Sequence, residues 1–285
     1  MQINLINTQK VLSPTQISLA DYVINPYRGC EFGCLYCYSQ ENKNIKSSDF
    51  FQNLGVKINA AEALGRELSY KKPKRVLLGS TTECFQYAEL RFRLMDKILK
   101  LLNNYSIPCT ILTKSHLIKD YLPIIAQNKE NKIYFTFNCA SGDTLGLLEK
   151  KSPDIKQRLE TLEAILEKNI SLRVHIGPFI PHLSSLEEIL EKLPKGVKEI
   201  DVELYHHKMG NFTGILKAVE KNIGKELAEG IASIYEMEEN YLKFAEGLKQ
   251  EVMKWKEKFS NAKFFYIVPD FNKFYSPQIN YDKVL

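Results

Sequence analysis

Residues 25–40 read NPYRGCEFGCLYCYSQ. Three of the chain's six cysteines, Cys30, Cys34 and Cys37, fall here with the spacing CxxxCxxC, and Tyr36 and Tyr38 flank the last of them. In a reducing compartment such a group points to metal or redox chemistry rather than to a disulfide framework. Zinc takes four ligands, usually from two separated pairs. No second cysteine pair follows, and His206 and His207 are adjacent rather than spaced as ligands. Iron–sulfur clusters are held by thiolates, and a four-iron cube normally takes four. Three would leave one iron open to an exchangeable ligand. A structural zinc or a redox-inert loop is the plainer alternative.

Outward from this loop the chain alternates strand-like and helical runs. ADYVINPY (20–27) reads as a first strand, with a helix over 56–72. KRVLLGS (74–80) is a strand followed by a helix near 87–104; PCTILTKS (108–115) precedes one near 116–128. KIYFTFN (132–138) leads into helices near 143–150 and 154–168, ISLRVHIGP (170–178) into one near 184–193, and VKEIDVELY (197–205) is a further strand. Six βα-type units predict an α/β fold with a parallel sheet. Six are too few to close an eight-stranded barrel, so an incomplete (β/α)6 TIM-like barrel is expected. Its active residues would gather at the C-terminal strand ends, where the cysteine loop, GSTTE, TKS, FNCAS and GPFIPH all fall. From 224 the chain turns long-helical and charged, and FFYIVPDF (264–271) reads as a late strand capping or extending the sheet. The expected organisation is a partial barrel with an N-terminal lead-in over 1–222 and a helical C-terminal extension over 223–285 packing on the same domain.

Composition narrows the setting. With 44% hydrophobic and 26% charged residues in 285, the chain is of ordinary globular type. No apolar run approaches the ~18–20 residues of a membrane span, and MQINLINTQKVLSP lacks the apolar core of a secretory signal. A soluble, cytoplasmic protein is expected, with no membrane partner. The formal net charge of +5 is mildly basic; Lys71, Lys72, Lys74 and Arg75 form one basic knot and Lys43 and Lys46 a sparser one. Such runs are usually solvated faces, and nucleic-acid binding is permitted rather than required.

CEFGCLYC resembles the CxxxCxφC signature of the radical S-adenosylmethionine (radical SAM) superfamily, with Tyr36 as the aromatic φ. The resemblance implies a [4Fe–4S] cluster on Cys30, Cys34 and Cys37. Its open iron would chelate the amine and carboxylate of S-adenosylmethionine, and one electron would split that cofactor to a 5′-deoxyadenosyl radical that abstracts hydrogen from a substrate. An electron donor such as flavodoxin or ferredoxin is implied as a partner. VLSPTQ, NPYRGCEFGCLYCY, LLGSTTE, ILTKS, YFTFN and LEKKSPDIKQRLETL, over roughly 11–205, occur in the order seen in the spore-photoproduct-lyase-like group. Carried over residue by residue, Lys114 resembles the lysine that pairs with the cofactor carboxylate. Thr136 stands where that group has a serine near the methionine moiety, Asn138 ends the same strand at the rim, and Thr82 stands at another cofactor-contacting hydroxyl. Tyr36 and Tyr38 match a tyrosine pair beside the cluster, one on the cofactor side and one a hydrogen-relay partner. Where those lyases return hydrogen through a cysteine, this chain has Ser80, whose O–H bond is too strong for that task, with Cys84 four residues on. Thymine-dimer repair is therefore disfavoured.

Other residues carry weaker signals. Cys109 reads as a small buried hydrophobe, Cys139 as packing beside the pocket, and Cys84 as structural or functional alike. Arg158 falls on a helix. Arg173 and His175 share a strand face and would line the cavity if that face looks inward. Glu203, His206, His207 and Asn211 lie at the height of substrate or in a solvated loop. Three functions are open. One is a radical SAM enzyme acting on a nucleobase, peptide or small metabolite; an extruded base would suit a buried radical. The second is a non-enzymatic iron–sulfur protein for electron transfer or sensing, with Cys84 or Cys139 as fourth ligand. The third is a nucleic-acid-binding module with a structural cluster.

Overall fold

In the computed structural model, which describes residues 1–39, 47–273 and 284–285, the β-branched and aromatic runs become strands. They are β1 (Gln2–Ile6), β2 (Ser13–Pro14), β3 (Tyr22–Ile24), β4 (Tyr27–Arg28), β5 (Asn53–Lys57), β6 (Val76–Leu78), β7 (Cys109–Thr113), β8 (Lys132–Thr136), β9 (Ser171–Phe179), β10 (Glu199–Leu204) and β11 (Lys263–Ile267). The main sheet has the order β11-β10-β9-β8-β7-β6-β3-β2. Strands β3 and β6 to β11 run parallel, and β2 alone is antiparallel, on β3. A parallel neighbour can be reached only by a crossover, and the intervening segments are mostly helical. This is an α/β fold with a mostly parallel sheet.

The late strand expected near 264–271 is β11, which extends the sheet as a seventh parallel strand. Other expectations are corrected in detail. The helix expected over 56–72 starts only at Ala60, because 53–57 is strand β5. That strand joins β1 and β4 in a small sheet of order β1-β5-β4 which the sequence reading did not foresee. The run near 87–104 breaks at Arg93, whose φ of 46° separates Glu89–Phe92 from Leu94–Asn104. The run near 116–128 is a 3₁₀ turn, His116–Tyr121, followed by one α-helical turn. The charged tail forms Lys225–Ile234 and Glu238–Lys258. No helix among the described residues is long and apolar enough to cross a membrane.

Alternation along the strands divides the core. Val76, Leu78, Ile111, Ile133, Phe135, Val174, Ile176, Ile200 and Val202 join the large core that the helices cover. The opposite face begins with a smaller cluster of Leu19, Leu77 and Tyr134, flanked by Val23 and Leu112. Further along the same face the residues turn polar: Thr136, His175, Asp201 and Glu203 by the two-residue period. The lead-in is tied down by the buried Glu67 carboxylate, which accepts the N–H groups of Val11 and Leu12 at 2.5 and 2.9 Å. The same carboxylate pairs with Lys71 at 2.6 Å, and Arg75 donates to the Glu130 carbonyl at 2.8 Å. Half of the expected basic knot is thus structural. Lys43 and Lys46 lie outside the described residues.

Gly29 sets the entry to the cysteine loop. Its φ is +95°, and a Cβ there would stand 2.5 Å from the Asn53 carbonyl oxygen and 2.8 Å from that of Phe50. Gly33 also has positive φ, +62°, but open space around it. Gly33→Ala is therefore expected to cost only the left-handed penalty of about 1–2 kcal/mol. Gly29→Ala should cost clearly more, because the backbone itself must move. Urea unfolding of the two variants checks this, and equal losses would contradict it.

Candidate active site

The cysteine loop leaves the C-terminal end of β3 and is anchored on three sides. The Cys30 N–H donates to the Phe50 carbonyl at 3.2 Å, the Leu35 N–H to the Leu148 carbonyl at 2.8 Å, and the Cys37 N–H to the Cys34 carbonyl at 3.2 Å. The Tyr36 carbonyl lies against Gly210, where a Cβ would come within 2.6 Å of its oxygen. Cys30 and Cys34 are buried and Cys37 is partly buried. Burial pushes the Cys30 thiol far up, and Cys34 and Cys37 add to the shift; backbone N–H groups of Glu83 and Phe32 oppose it from beside the sulfur. Burial also raises Cys34, to about 12, with Lys114 opposing. Two buried thiols that resist ionisation beside a third call for a positive centre among them. N–H groups directed at sulfur are also a feature of iron–sulfur sites. Among the described residues no three His, Cys, Asp or Glu side chains are gathered to hold a single metal ion. Three cysteines in one loop, with N–H groups beside the Cys30 sulfur, form a donor set that suits a cluster.

Behind the loop lies a buried charged network centred on Glu149. The helix Ile155–Glu167 opens with a capping box between Asp154 and Gln157, which fixes its first turn. From that turn Arg158, fully buried, donates to Glu149 Oε2 and, at 2.7 Å, to Ser152 Oγ. Lys114, just past the end of β7, donates to Glu149 Oε1 at 2.9 Å, to the Tyr36 hydroxyl, and to Cys34 Sγ at 3.6 Å. The Tyr36 hydroxyl donates to Glu149 Oε1 and accepts from Asn138 Nδ2 at 3.2 Å. Two cations thus enclose one carboxylate. Burial alone would raise the Glu149 carboxyl, but Arg158 and Lys114 hold it far below the usual range. Burial would lower Lys114, but Cys34 and Glu149 keep it charged. Sequence reasoning named Tyr36, Lys114, Asn138 and Arg158 but missed Glu149. The signal was the Glu–x–x–Ser–Pro of LEKKSP, five residues before the arginine's helix turn.

The remaining expected residues divide. Tyr38, 38% exposed, donates its hydroxyl to the Ser80 carbonyl, and Ser80 Oγ accepts from Asn25 at 3.1 Å, so these two meet at the rim. Thr82 is buried and donates to the Gly29 carbonyl at 2.5 Å, bracing the loop entry. Cys84 is wholly buried in the main core, as are Cys109 and Cys139. Thr136 stands at the end of β8 beside His175 in register. Asn138 is buried, and its Oδ1 has no partner among the described residues.

On the same sheet face, Asp201 Oδ2 accepts from His175 Nδ1 at 2.8 Å, and His175 Nε2 lies 3.8 Å from Glu203 Oε2. Arg173, one layer below, is spent on Glu199 at 3.0 Å and on the Phe265 and Tyr134 rings. Asp201 was missed; its signal was an acid alternating in phase with Glu203 through EIDVEL. Asn211 caps the helix Phe212–Asn222 by accepting from the Gly214 N–H at 3.1 Å. His207 sits among Phe212, Tyr235 and Phe271, and burial pushes its pKa down to about 4.

Glu149→Gln removes the anion and leaves two buried cations facing each other. A loss of about 3–5 kcal/mol is expected, read by urea unfolding at neutral pH. Because the native carboxyl is depressed, its contribution is full above the ordinary Glu value of about 4.3. It fades as pH falls toward the depressed value, so the gap between wild type and variant should narrow with acid. A gap that widens would contradict the assignment.

The model of the Radical SAM superfamily matches residues 24–203, more than half of the chain. An uncharacterized protein of Mycobacterium tuberculosis is 32% identical over 181 residues, covering 60% of this chain and 53% of that protein. An uncharacterized protein of Methanocaldococcus jannaschii is 28% identical over 191 residues, covering 67% and 72%. The chain thus spans about half the length of its mycobacterial relatives. Among solved structures, spore photoproduct lyase superposes with a TM-score of 0.57 at 16% identity, covering 78% of this chain and 66% of that one, which is a likeness of fold. Radical SAM enzymes use a [4Fe–4S] cluster and S-adenosylmethionine, and it is to this superfamily that the chain belongs.

Proposed function

We propose that this chain is a radical SAM enzyme with Cys30, Cys34 and Cys37 as cluster ligands and a cavity for an unidentified substrate. The observation that carries this reading is the largely buried Lys114 ammonium 3.6 Å from Cys34 Sγ, a fixed positive charge beside the thiols. When bound, the cluster supplies the electron that splits S-adenosylmethionine to methionine and a 5′-deoxyadenosyl radical. The chain's own residues bind and orient. Lys114 offers a cation to the cofactor carboxylate, with Glu149 and Arg158 fixing its position. Tyr36 braces Lys114 through its hydroxyl and faces the cofactor with its ring and backbone. Asn138 has a free amide oxygen for a donor on the cofactor, and Thr136 lies on the wall next to it. Thr82 acts through the loop entry. Tyr38 and Ser80 form the rim toward substrate, while the burial of Cys84 supports a packing role.

Ser80 in place of a thiol argues against hydrogen return to a thymine product, so dimer repair is not part of this reading. We read the chain through about residue 222 as an incomplete six-unit barrel with its lead-in, and the remainder as a largely helical extension on the same domain whose strand β11 joins the sheet. A flavodoxin- or ferredoxin-type donor supplies the electron.

Anaerobic reconstitution, reduction and addition of S-adenosylmethionine should yield 5′-deoxyadenosine from wild type and none from the variant with Cys30, Cys34 and Cys37 all changed to Ala. Lys114→Met removes a charge-assisted contact worth about 1.5–3 kcal/mol. It should weaken cofactor binding on the order of 10–100-fold while the cluster still loads. A fully loaded wild type that binds no cofactor would overturn the reading.

A further inference from the structure

The inner face of β9 and β10 carries a second cluster, separate from the cysteine loop. His175 stands between two carboxylates of one strand. Asp201 Oδ2 is 2.8 Å from Nδ1, and Glu203 Oε2 is 3.8 Å from Nε2. A carboxylate accepts, so Nδ1 carries the proton and Nε2 is the working edge of the ring. Gly177 makes room for that edge: a Cβ there would stand 2.3 Å from Nε2 and 3.1 Å from Glu203 Cβ. Asp201 is fully buried, and its Oδ1 has no partner among the described residues. His175 and Glu203 each keep about a fifth of their side chain open, 22% and 21%. A structural ion pair would close that gap and satisfy those oxygens. Acceptor capacity is thus left over beside a part of the sheet face that is polar and partly accessible.

The geometry points to a proton-exchanging substrate subsite, in which Asp201 orients His175 and Glu203 touches a substrate that presents an N–H or O–H donor. This rests on the reading of the cavity as a substrate site. The step is a plain proton transfer. The bond from the substrate heteroatom to hydrogen breaks, its electron pair stays on that heteroatom, and an O–H bond forms at Glu203, with His175 Nε2 as the neighbouring proton holder. No oxidant or reductant enters. The charged and titratable groups facing the pair are Asp201 on β10, Lys114 beyond β7, and Tyr241 on the helix Glu238–Lys258. Burial raises the Glu203 carboxyl to about 7, with His175 opposing and Asp201 adding. Burial alone would lower His175, but Asp201 and Glu203 raise it, with Lys114 opposing. Glu203 thus exchanges its proton near neutrality, where acid–base catalysis works best.

The test is nuclear magnetic resonance on the full-length, cluster-loaded protein with labelled histidine and glutamate, read against pH. In wild type, the neutral imidazole should be the Nδ1–H tautomer and the Glu203 carboxyl should titrate near neutrality. Asp201→Asn should lower the proton affinity of His175 by about tenfold or more. Acetamide should shift the Glu203 and His175 signals saturably, and N,N-dimethylacetamide, which has no N–H, should do so at least about tenfold more weakly. An Nε2–H tautomer, an ordinary Glu203 titration, or equal response to the two amides would overturn the proposal. If Asp201→Asn fails to fold, the wild-type tautomer and the amide pair decide it. None of these readings depends on 5′-deoxyadenosine formation, so the subsite can fail while the radical reading stands.

Discussion

Glu149, itself fully buried, sits between Arg158 and Lys114, and much of the candidate site depends on it. A lone, largely buried ammonium would be held less firmly; the carboxylate 2.9 Å away keeps Lys114 charged and in place. The same carboxylate accepts from Tyr36, so the aromatic residue of the cysteine motif is held by a group more than a hundred positions on in the chain. Arg158 anchors the carboxylate from the first turn of a capped helix, and the Leu148 carbonyl accepts from Leu35 in the loop itself. One buried carboxylate therefore couples the cysteine loop, the end of β7 and the segment after β8. With Glu149 satisfied twice over, the Lys114 ammonium still lies beside the Cys34 thiol. That cation favours an anion, which is what a thiolate cluster and a cofactor carboxylate both supply.

The sheet face that looks away from the helices has a gradient along it. Near the N-terminal strand ends it is closed by Leu19, Leu77 and Tyr134, with Arg173 laid over aromatic rings. Toward the C-terminal ends it becomes polar and open, with Lys114 and Tyr36 on one side and His175 and Glu203 on the other. Parallel strands all point their C-terminal ends the same way, so residues distant in sequence arrive at one rim. Gly177 and Gly79 thin the backbone where neighbouring groups come close; at Gly79 a Cβ would meet the Leu112 carbonyl oxygen at 2.6 Å.

The parallel sheet was legible in the sequence because each of its longer strands is a buried run followed by an amphipathic helix, and both periods are local. The cysteine loop was legible because its spacing is short. What escaped notice was set by tertiary contacts. β1, β4 and β5 form a small sheet in which β1 and β5 partners lie 51 residues apart and β4 and β5 partners 27 to 29 apart, and nothing in QINLI or NLGVK announces that pairing. Glu149 sits in a lysine-rich stretch that reads as surface, and only the approach of Lys114 and Arg158 reveals it as buried. Thr82 is of the right type for a cofactor contact, yet its hydroxyl braces the Gly29 carbonyl. Asp201 was hidden in a hydrophobic strand, where its in-phase spacing with Glu203 gained meaning only once His175 stood opposite.

The central claim is that three thiolates hold a cluster whose remaining iron is free to take S-adenosylmethionine. Electron paramagnetic resonance of the reduced, fully loaded protein, recorded before and after adding the cofactor with ¹⁷O in its carboxylate and ¹⁵N in its amine, tests this most directly. The expected result is a changed spectrum with hyperfine coupling to both labels. A spectrum unmoved by the cofactor, with neither coupling, would mean that the fourth iron is already ligated and would contradict the claim.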